Sequence, residues 1–163
     1  MKGDYDETVF FYGHYDKQPP FTGWEEGLGP LIPVIKDDKL YGRGGADDGY
    51  ATYGTLIAIK TLQDQGIPIP RCVMITEGDE ESGSAHIETY IRNLKERIGN
   101  PTLFFCLDSG ALDYERMWVT NSLRGTLVQN LRVDVLTEGV HSGDASGIVP
   151  SSFRIIRELL ERI

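Results

Sequence analysis

The feature that constrains the fold of this chain most strongly is a set of three short apolar runs. Each run is followed by residues with polar or charged side chains. The runs are Thr8 to Tyr12, Arg71 to Thr76 and Thr102 to Leu107, and they are rich in β-branched, aromatic or other apolar residues. Runs of this kind predict buried strands. Helix-like segments alternate with them, which favours an α/β fold with a layered, mostly parallel sheet and flanking helices. In such open sheets, ligands bind at the carboxyl ends of the strands.

The residues that follow these runs are of the types that bind metal ions. His14 follows the first run and Asp108 follows the third, whereas the second run leads into the adjacent pair Glu80 and Glu81. Two adjacent anions repel, and in a folded site one of them takes up a proton unless a positive charge lies nearby. With a metal ion present, one glutamate is a ligand and the other moves protons for a metal-bound water. A lone Glu-Glu pair, in contrast, is usually a solvated turn.

A glycine-rich segment, Gly42 to Gly49, adds two further carboxylates at Asp47 and Asp48. Phosphate binding is the alternative role for such a loop, but it requires a following lysine or a helix N-terminus free of acidic residues. The two aspartates favour a cation. One imidazole with several carboxylates suits zinc, with manganese or cobalt as substitutes, and a shared aspartate would place two ions close together. Asp16 can accept a hydrogen bond from the second ring nitrogen of His14.

Taken in order, these motifs resemble the dinuclear zinc peptidases, a family that includes carnosinase-type dipeptidases, acetylornithine deacetylase and succinyl-diaminopimelate desuccinylase. The dipeptidase branch is the most similar. The motifs that carry the resemblance are Gly13-His14-Tyr15-Asp16, Gly42 to Gly49, Glu77 to Ser84, Asp108 and Val140-His141-Ser142-Gly143.

The resemblance implies a set of metal ligands for two zinc ions. His14 and Asp108 would hold one ion, Glu81 would hold the second, and Asp47 would bridge both. The family's second ion takes a further histidine, but the other histidines here are His86 and His141. We interpret His86 as an ordinary residue on a helix surface, so that ligand is missing.

The resemblance also implies three catalytic residues. Glu80 would be the general base for a water held between the two ions. Asp16 would support the metal ligand His14, and His141 would contact the substrate or its oxyanion from a lid domain. The implied reaction is hydrolysis of the peptide bond of a dipeptide. The alternatives are an N-acyl amino-acid deacylase and, for this chain alone, an inactive metal-binding fragment.

The same resemblance divides the chain into an incomplete catalytic domain at 1–121 and the beginning of a lid or dimerisation domain at 122–163. We therefore expect an internal piece of a larger enzyme that forms a homodimer through the lid domain. Within these parts the pattern predicts helices from Tyr50 to Gln65, from Ser84 to about Ile98, and from Ser151 or Ser152 onward. Alternating residues from Gln129 to Leu136 predict a strand covered on one face.

Composition excludes several other classes of protein. The net charge of −9 argues against nucleic-acid binding. No apolar run approaches the roughly 20 residues that span a membrane, and the start does not resemble a signal peptide. Cys72 and Cys106 lie in apolar runs, where we expect small buried side chains rather than a disulfide. These features predict a cytoplasmic protein.

Overall fold

The computed structural model describes residues 1–163, which divide into two compact units, Met1–Thr120 and Asn121–Ile163. The first unit contains every strand and most of the helical residues. In chain order its elements are β1 (Tyr5–His14), β2 (Val34–Lys36), β3 (Lys39–Tyr41), α1 (Tyr50–Asp64), β4 (Pro70–Glu77), a 3-10 turn (Glu80–Ser82), α2 (Ile87–Asn93), α3 (Lys95–Ile98) and β5 (Leu103–Cys106). The second unit contains two helices, α4 (Ser142–Ala145) and α5 (Ser152–Leu160).

The main sheet has three strands in the order β4-β1-β5, and both pairings are parallel. The three predicted apolar runs form these strands, which confirms the α/β prediction. The register aligns His14 with Glu77 and Tyr12 with Cys106. The carboxyl ends of all three strands therefore lie at the same edge of the sheet. β2 and β3 form a separate antiparallel pair.

Helix α1 packs against the sheet through a small core. Ile59 on α1 clusters with Ile69 and Cys72, and Phe11 of β1 packs against them. At its first turn the helix comes very close to β1, because a Cβ atom added at Gly13 would lie 2.3 Å from the Cβ of Ala51. The glycine thus permits the helix to begin directly beside His14.

Three local predictions are wrong. The second helix begins at Ile87 instead of Ser84, because Ser84 takes a positive φ of 52° and its hydroxyl binds Glu77 instead of capping a helix. Residues 129–136 form no strand, since no element of the second unit pairs with them. Cys106 is exposed on β5, whereas Cys72 is buried as expected.

The final helix matches its prediction. The Ser151 hydroxyl accepts a hydrogen bond from the N–H of Arg154 at 3.4 Å, which caps the first turn of α5. Two of its apolar side chains are exposed, Phe153 at 85% and Leu160 at 56%, whereas Ile155, Ile156 and Leu159 are partly buried. None of the helices combines the length and apolarity that a membrane crossing requires.

Candidate metal centre

His14 is the most enclosed of the predicted metal ligands. It ends the central strand and is only 1% exposed. Its backbone N–H donates to Asp48 Oδ2 at 2.9 Å. Its ring Nδ1 lies 3.2 Å from the carbonyl oxygen of Asp16, and the same distance separates it from Asp16 Oδ1. Only the carbonyl meets hydrogen-bond geometry, so the backbone of Asp16, more than its carboxylate, orients the ring.

The other ring nitrogen of His14 faces three carboxylates from three different segments. Nε2 lies 3.2 Å from Asp47 Oδ1, 3.8 Å from Glu80 Oε2 and 3.8 Å from Asp108 Oδ1. Two sets of ligand atoms are each compact enough to surround one ion, with all atoms of a set within 4.8 Å of one another. One set is His14, Asp47 and Glu81, and the other is His14, Glu80 and Asp108. Both sets depend on the same imidazole.

Two aspartates hold the loops of the site in place. Asp48 is fully buried, and its carboxylate accepts the N–H groups of His14 and of Ala51 in the first turn of α1. Asp16 Oδ2 accepts the N–H of Glu81 at 2.9 Å. The hydrogen bonds of Asp48 thereby link the end of β1 to the start of α1, and the hydrogen bond of Asp16 links the segment after β1 to the loop after β4.

The carboxylates alter one another's acidity. Burial by itself would lower the pKa of His14, but the nearby carboxylates of Asp108 and Glu80 outweigh burial and raise it. Burial raises the pKa of Glu80, and the charges of Asp108 and Glu81 raise it further, against the opposite effect of His14. The pKa of Asp108 is raised for the same reasons, first by burial and then by neighbouring acids. The carboxylates of the cluster thus outnumber its one imidazole.

The residues present fit a metal ion. Glu81 Oε1 and Asp16 Oδ1 are buried without a hydrogen-bond partner. Buried carboxylate oxygens are normally satisfied, so the orphaned oxygen of Glu81, a member of one ligand set, indicates a place for a cation. The donor set of one nitrogen and several oxygens suits zinc, manganese or cobalt.

Most of the predicted site residues share one end of the sheet. The structure brings together His14, Asp16, Asp47, Glu80, Glu81 and Asp108. His141 lies in the second unit, where its Nδ1 accepts the N–H of Gly143 at the start of α4. His86 belongs to neither ligand set.

Sequence reasoning missed what Gln18 and Glu77 do. Gln18 donates a hydrogen bond to Glu81 Oε2, and Glu77 accepts two hydroxyl hydrogens. The available signal was the position of Glu77 as the last residue of an apolar run, where a buried acid requires partners.

Comparison with known proteins identifies the family. The model of peptidase family M20/M25/M40 matches residues 10–147. The chain belongs to this family. It is 32% identical over 147 residues to the Cys-Gly metallodipeptidase dug1 of Schizosaccharomyces pombe, covering 88% of this chain and 31% of that protein. It is 29% identical to the human Beta-Ala-His dipeptidase, covering 87% of this chain and 28% of that protein.

A solved structure agrees with the fold. The chain superposes on the M20 family metallo-carboxypeptidase Sso-CP2 of Sulfolobus solfataricus with a TM-score of 0.58 and 27% identity, over 68% of this chain and 25% of that one. The chain thus spans less than a third of the length of these relatives. The predicted resemblance to the carnosinase-type dipeptidases is confirmed.

Proposed function

We propose that this chain contributes the metal-binding residues of a dipeptidase, a hydrolase of peptide bonds. The observation that carries the proposal is the position of His14 Nε2, which faces carboxylates of Asp47, Glu80 and Asp108 at 3.2 to 3.8 Å. Family membership and dipeptidase relatives support the same conclusion.

We assign the ligands as the resemblance implies, with His14 and Asp108 on one ion, Glu81 on a second, and Asp47 between them. Zinc, or manganese or cobalt in its place, would supply a Lewis acid that activates water and polarises the scissile carbonyl. Asp48 and Asp16 hold these ligands through the backbone of His14 and Glu81.

Glu80 is assigned as the general base. Its carboxylate lies 3.8 Å from His14 Nε2 and belongs to the same cluster as the ligands. Burial and then the neighbouring acids raise its pKa, and a carboxylate placed beside a metal-held water is the usual general base for such hydrolysis. It would take the proton from water and pass it to the leaving amine. His141 is assigned to the substrate's oxyanion.

The substrate assignment rests on the relatives' names. Those relatives act on Cys-Gly or Beta-Ala-His dipeptides, so we propose a dipeptide substrate ahead of an N-acyl amino acid. The assignments of 1–121 as catalytic domain, of 122–163 as lid, of homodimerisation through the lid and of cytoplasmic location are proposed with it.

A second candidate concerns this polypeptide by itself. Both ligand sets use the same His14 side chain, whose Nδ1 already faces Asp16. One ring nitrogen cannot ligate two ions, and stable zinc sites usually have three or four protein ligands. This geometry favours a chain that alone binds one ion firmly and does not hydrolyse peptides.

The glutamate pair provides the test of the proposed roles. In the whole enzyme, Glu80→Gln is expected to abolish dipeptide hydrolysis with metal content close to wild type, whereas Glu81→Gln lowers metal occupancy. Glu88→Gln is the control, because Glu88 is exposed on α2 and pairs with Arg92. Equal metal loss in both site variants would contradict the assignment. For the 163-residue chain, calorimetric titration with zinc is expected to show one firm site, and two firm sites would show that another donor, such as His86, completes the second.

A further inference from the structure

The loop that carries Glu80 and Glu81 is closed by hydrogen bonds between its ends. It leaves β4 at Glu77 and returns at Ser84, whose N–H donates to the carbonyl of Asp79 at 2.8 Å. The Ser84 hydroxyl also donates to Glu77 Oε2 at 3.1 Å. Ser84 has a φ of 52°, a conformation that residues with side chains rarely adopt. The two bonds hold the serine there, and they fix the span of the loop.

The Glu77 carboxylate is tied in turn to the central strand. Its Oε2 accepts the hydroxyl hydrogen of Tyr12 at 2.5 Å, and Glu77 is only 8% exposed. Tyr12 precedes His14 by two positions, and residues two apart on a strand share a face. Glu77 itself is aligned with His14 in the register of β1 and β4.

A single buried oxygen thus links the strand that carries the imidazole to the loop that carries both glutamates. Small movements of the loop would change the distance between Glu80 Oε2 and His14 Nε2, which is 3.8 Å. Partners beyond the ligands commonly determine metal affinity in this way.

We propose that Glu77, together with Tyr12 and Ser84, is a positioning residue that sets the placement of Glu80 and Glu81 against His14. The inference rests on the proposed metal site. The competing interpretation is that Tyr12 and Ser84 only satisfy the buried carboxylate of Glu77, and that the three residues stabilise the fold without affecting the metal site.

The experiment uses the 163-residue chain, cobalt as the probe, and the variants Glu77→Gln, Tyr12→Phe and Ser84→Ala. Thr76→Val is the matched control. It also deletes one hydroxyl, but the Thr76 hydroxyl lies 3.2 Å from that of Thr52 on α1, and Thr76 points to the opposite sheet face from Glu77. Hydrogen exchange of residues 78–84 reports the loop without any metal. Cobalt absorption and cobalt affinity report the geometry of the ligands.

We expect Glu77→Gln to weaken cobalt binding by roughly tenfold or more and to change the cobalt spectrum. Tyr12→Phe and Ser84→Ala should have smaller effects in the same direction, and all three should speed exchange in the loop. Thr76→Val should change neither. If Glu77→Gln does not fold, the two hydroxyl deletions decide the question.

Unchanged cobalt spectra and affinities in the variants, with only a lowered melting temperature, would overturn the inference in favour of a structural role. A wild-type chain that binds no cobalt would contradict the proposed metal site instead, and with it the role of Glu77 toward metal. Hydrogen exchange of residues 78–84 would then still show whether the hydrogen bonds of Glu77 close the loop.

Discussion

Asp48 shows how one buried carboxylate can organise a site without being assigned to the metal. It is 0% exposed, and it joins the end of β1 to the first turn of α1 through backbone N–H groups. Replacing Asp48 with alanine would leave those buried donors without an acceptor.

We therefore expect Asp48→Ala to lower the free energy of unfolding by about 2–4 kcal/mol, because unsatisfied buried polar groups are costly. Asp48→Asn keeps one acceptor oxygen and should have a smaller effect. Asp64→Ala is the control, since Asp64 forms an exposed pair with Lys60 that contributes little. Urea denaturation measures all three. An Asp48→Ala chain as stable as the control would show that water replaces the missing acceptor.

At the level of secondary structure, Gly13 permits a very close contact between β1 and α1. A Cβ at Gly13 would lie 2.3 Å from Ala51 Cβ and 2.8 Å from Asp48 Oδ2. The start of α1 cannot move away without also moving Asp47 and Asp48.

Gly13→Ala is accordingly expected to destabilise the chain by about 1–3 kcal/mol, the usual range for overpacking. Gly54→Ala, on the exposed face of the same helix, has room for a methyl group and should instead be neutral or stabilising by up to about 1 kcal/mol. Thermal denaturation of the two variants is the measurement. Equal melting temperatures would mean that the helix adjusts freely against the strand.

These elements also show what the sequence can and cannot predict. Strands β1, β4 and β5 follow from continuous apolar runs, although β5 lies at the edge of the sheet and its residues are exposed. The segment 129–136 alternates like a strand, yet alternation alone does not provide a partner strand. Ser84 is of a residue type that commonly caps helices, but its hydroxyl instead donates a hydrogen bond to Glu77, seven positions earlier in the chain. Such competition between local and tertiary bonds is invisible in a local pattern.

The site itself was predictable as a list of residues but not as a geometry. The sequence indicated His14, Glu80, Glu81 and Asp108 as site residues, because each follows an apolar run and the carboxyl ends of parallel strands lie together. Nothing in the pattern indicated that both ligand sets share one imidazole. The roles of the individual residues stay predictions.

For the whole molecule, the open face of α5 predicts association. Phe153 and Leu160 are largely exposed on a helix that also carries the partly buried apolar residues Ile155, Ile156 and Leu159. Apolar side chains placed together on a surface usually find a partner.

We expect the chain to sediment or scatter light as a species larger than its 18.2 kDa mass. The double substitution Phe153→Glu and Leu160→Glu should return it toward a monomer, because charge opposes burial of that face. Arg157→Glu with Arg162→Glu is the matched control on charged positions. A monodisperse monomer at high concentration would contradict this prediction.

The position of His14 at the end of the central strand also has a consequence for chain entropy. Its neighbours in the cluster include Asp47, which is 33 residues away along the chain, and Asp108, which is still more distant. An ion held by these side chains would act as a reversible cross-link that closes long chain loops. Loop-closure entropy grows slowly with loop length, so closing such long loops costs only slightly more than closing shorter ones. Because an ion that binds the folded chain more tightly than the unfolded one stabilises it, folding would become dependent on the concentration of free metal.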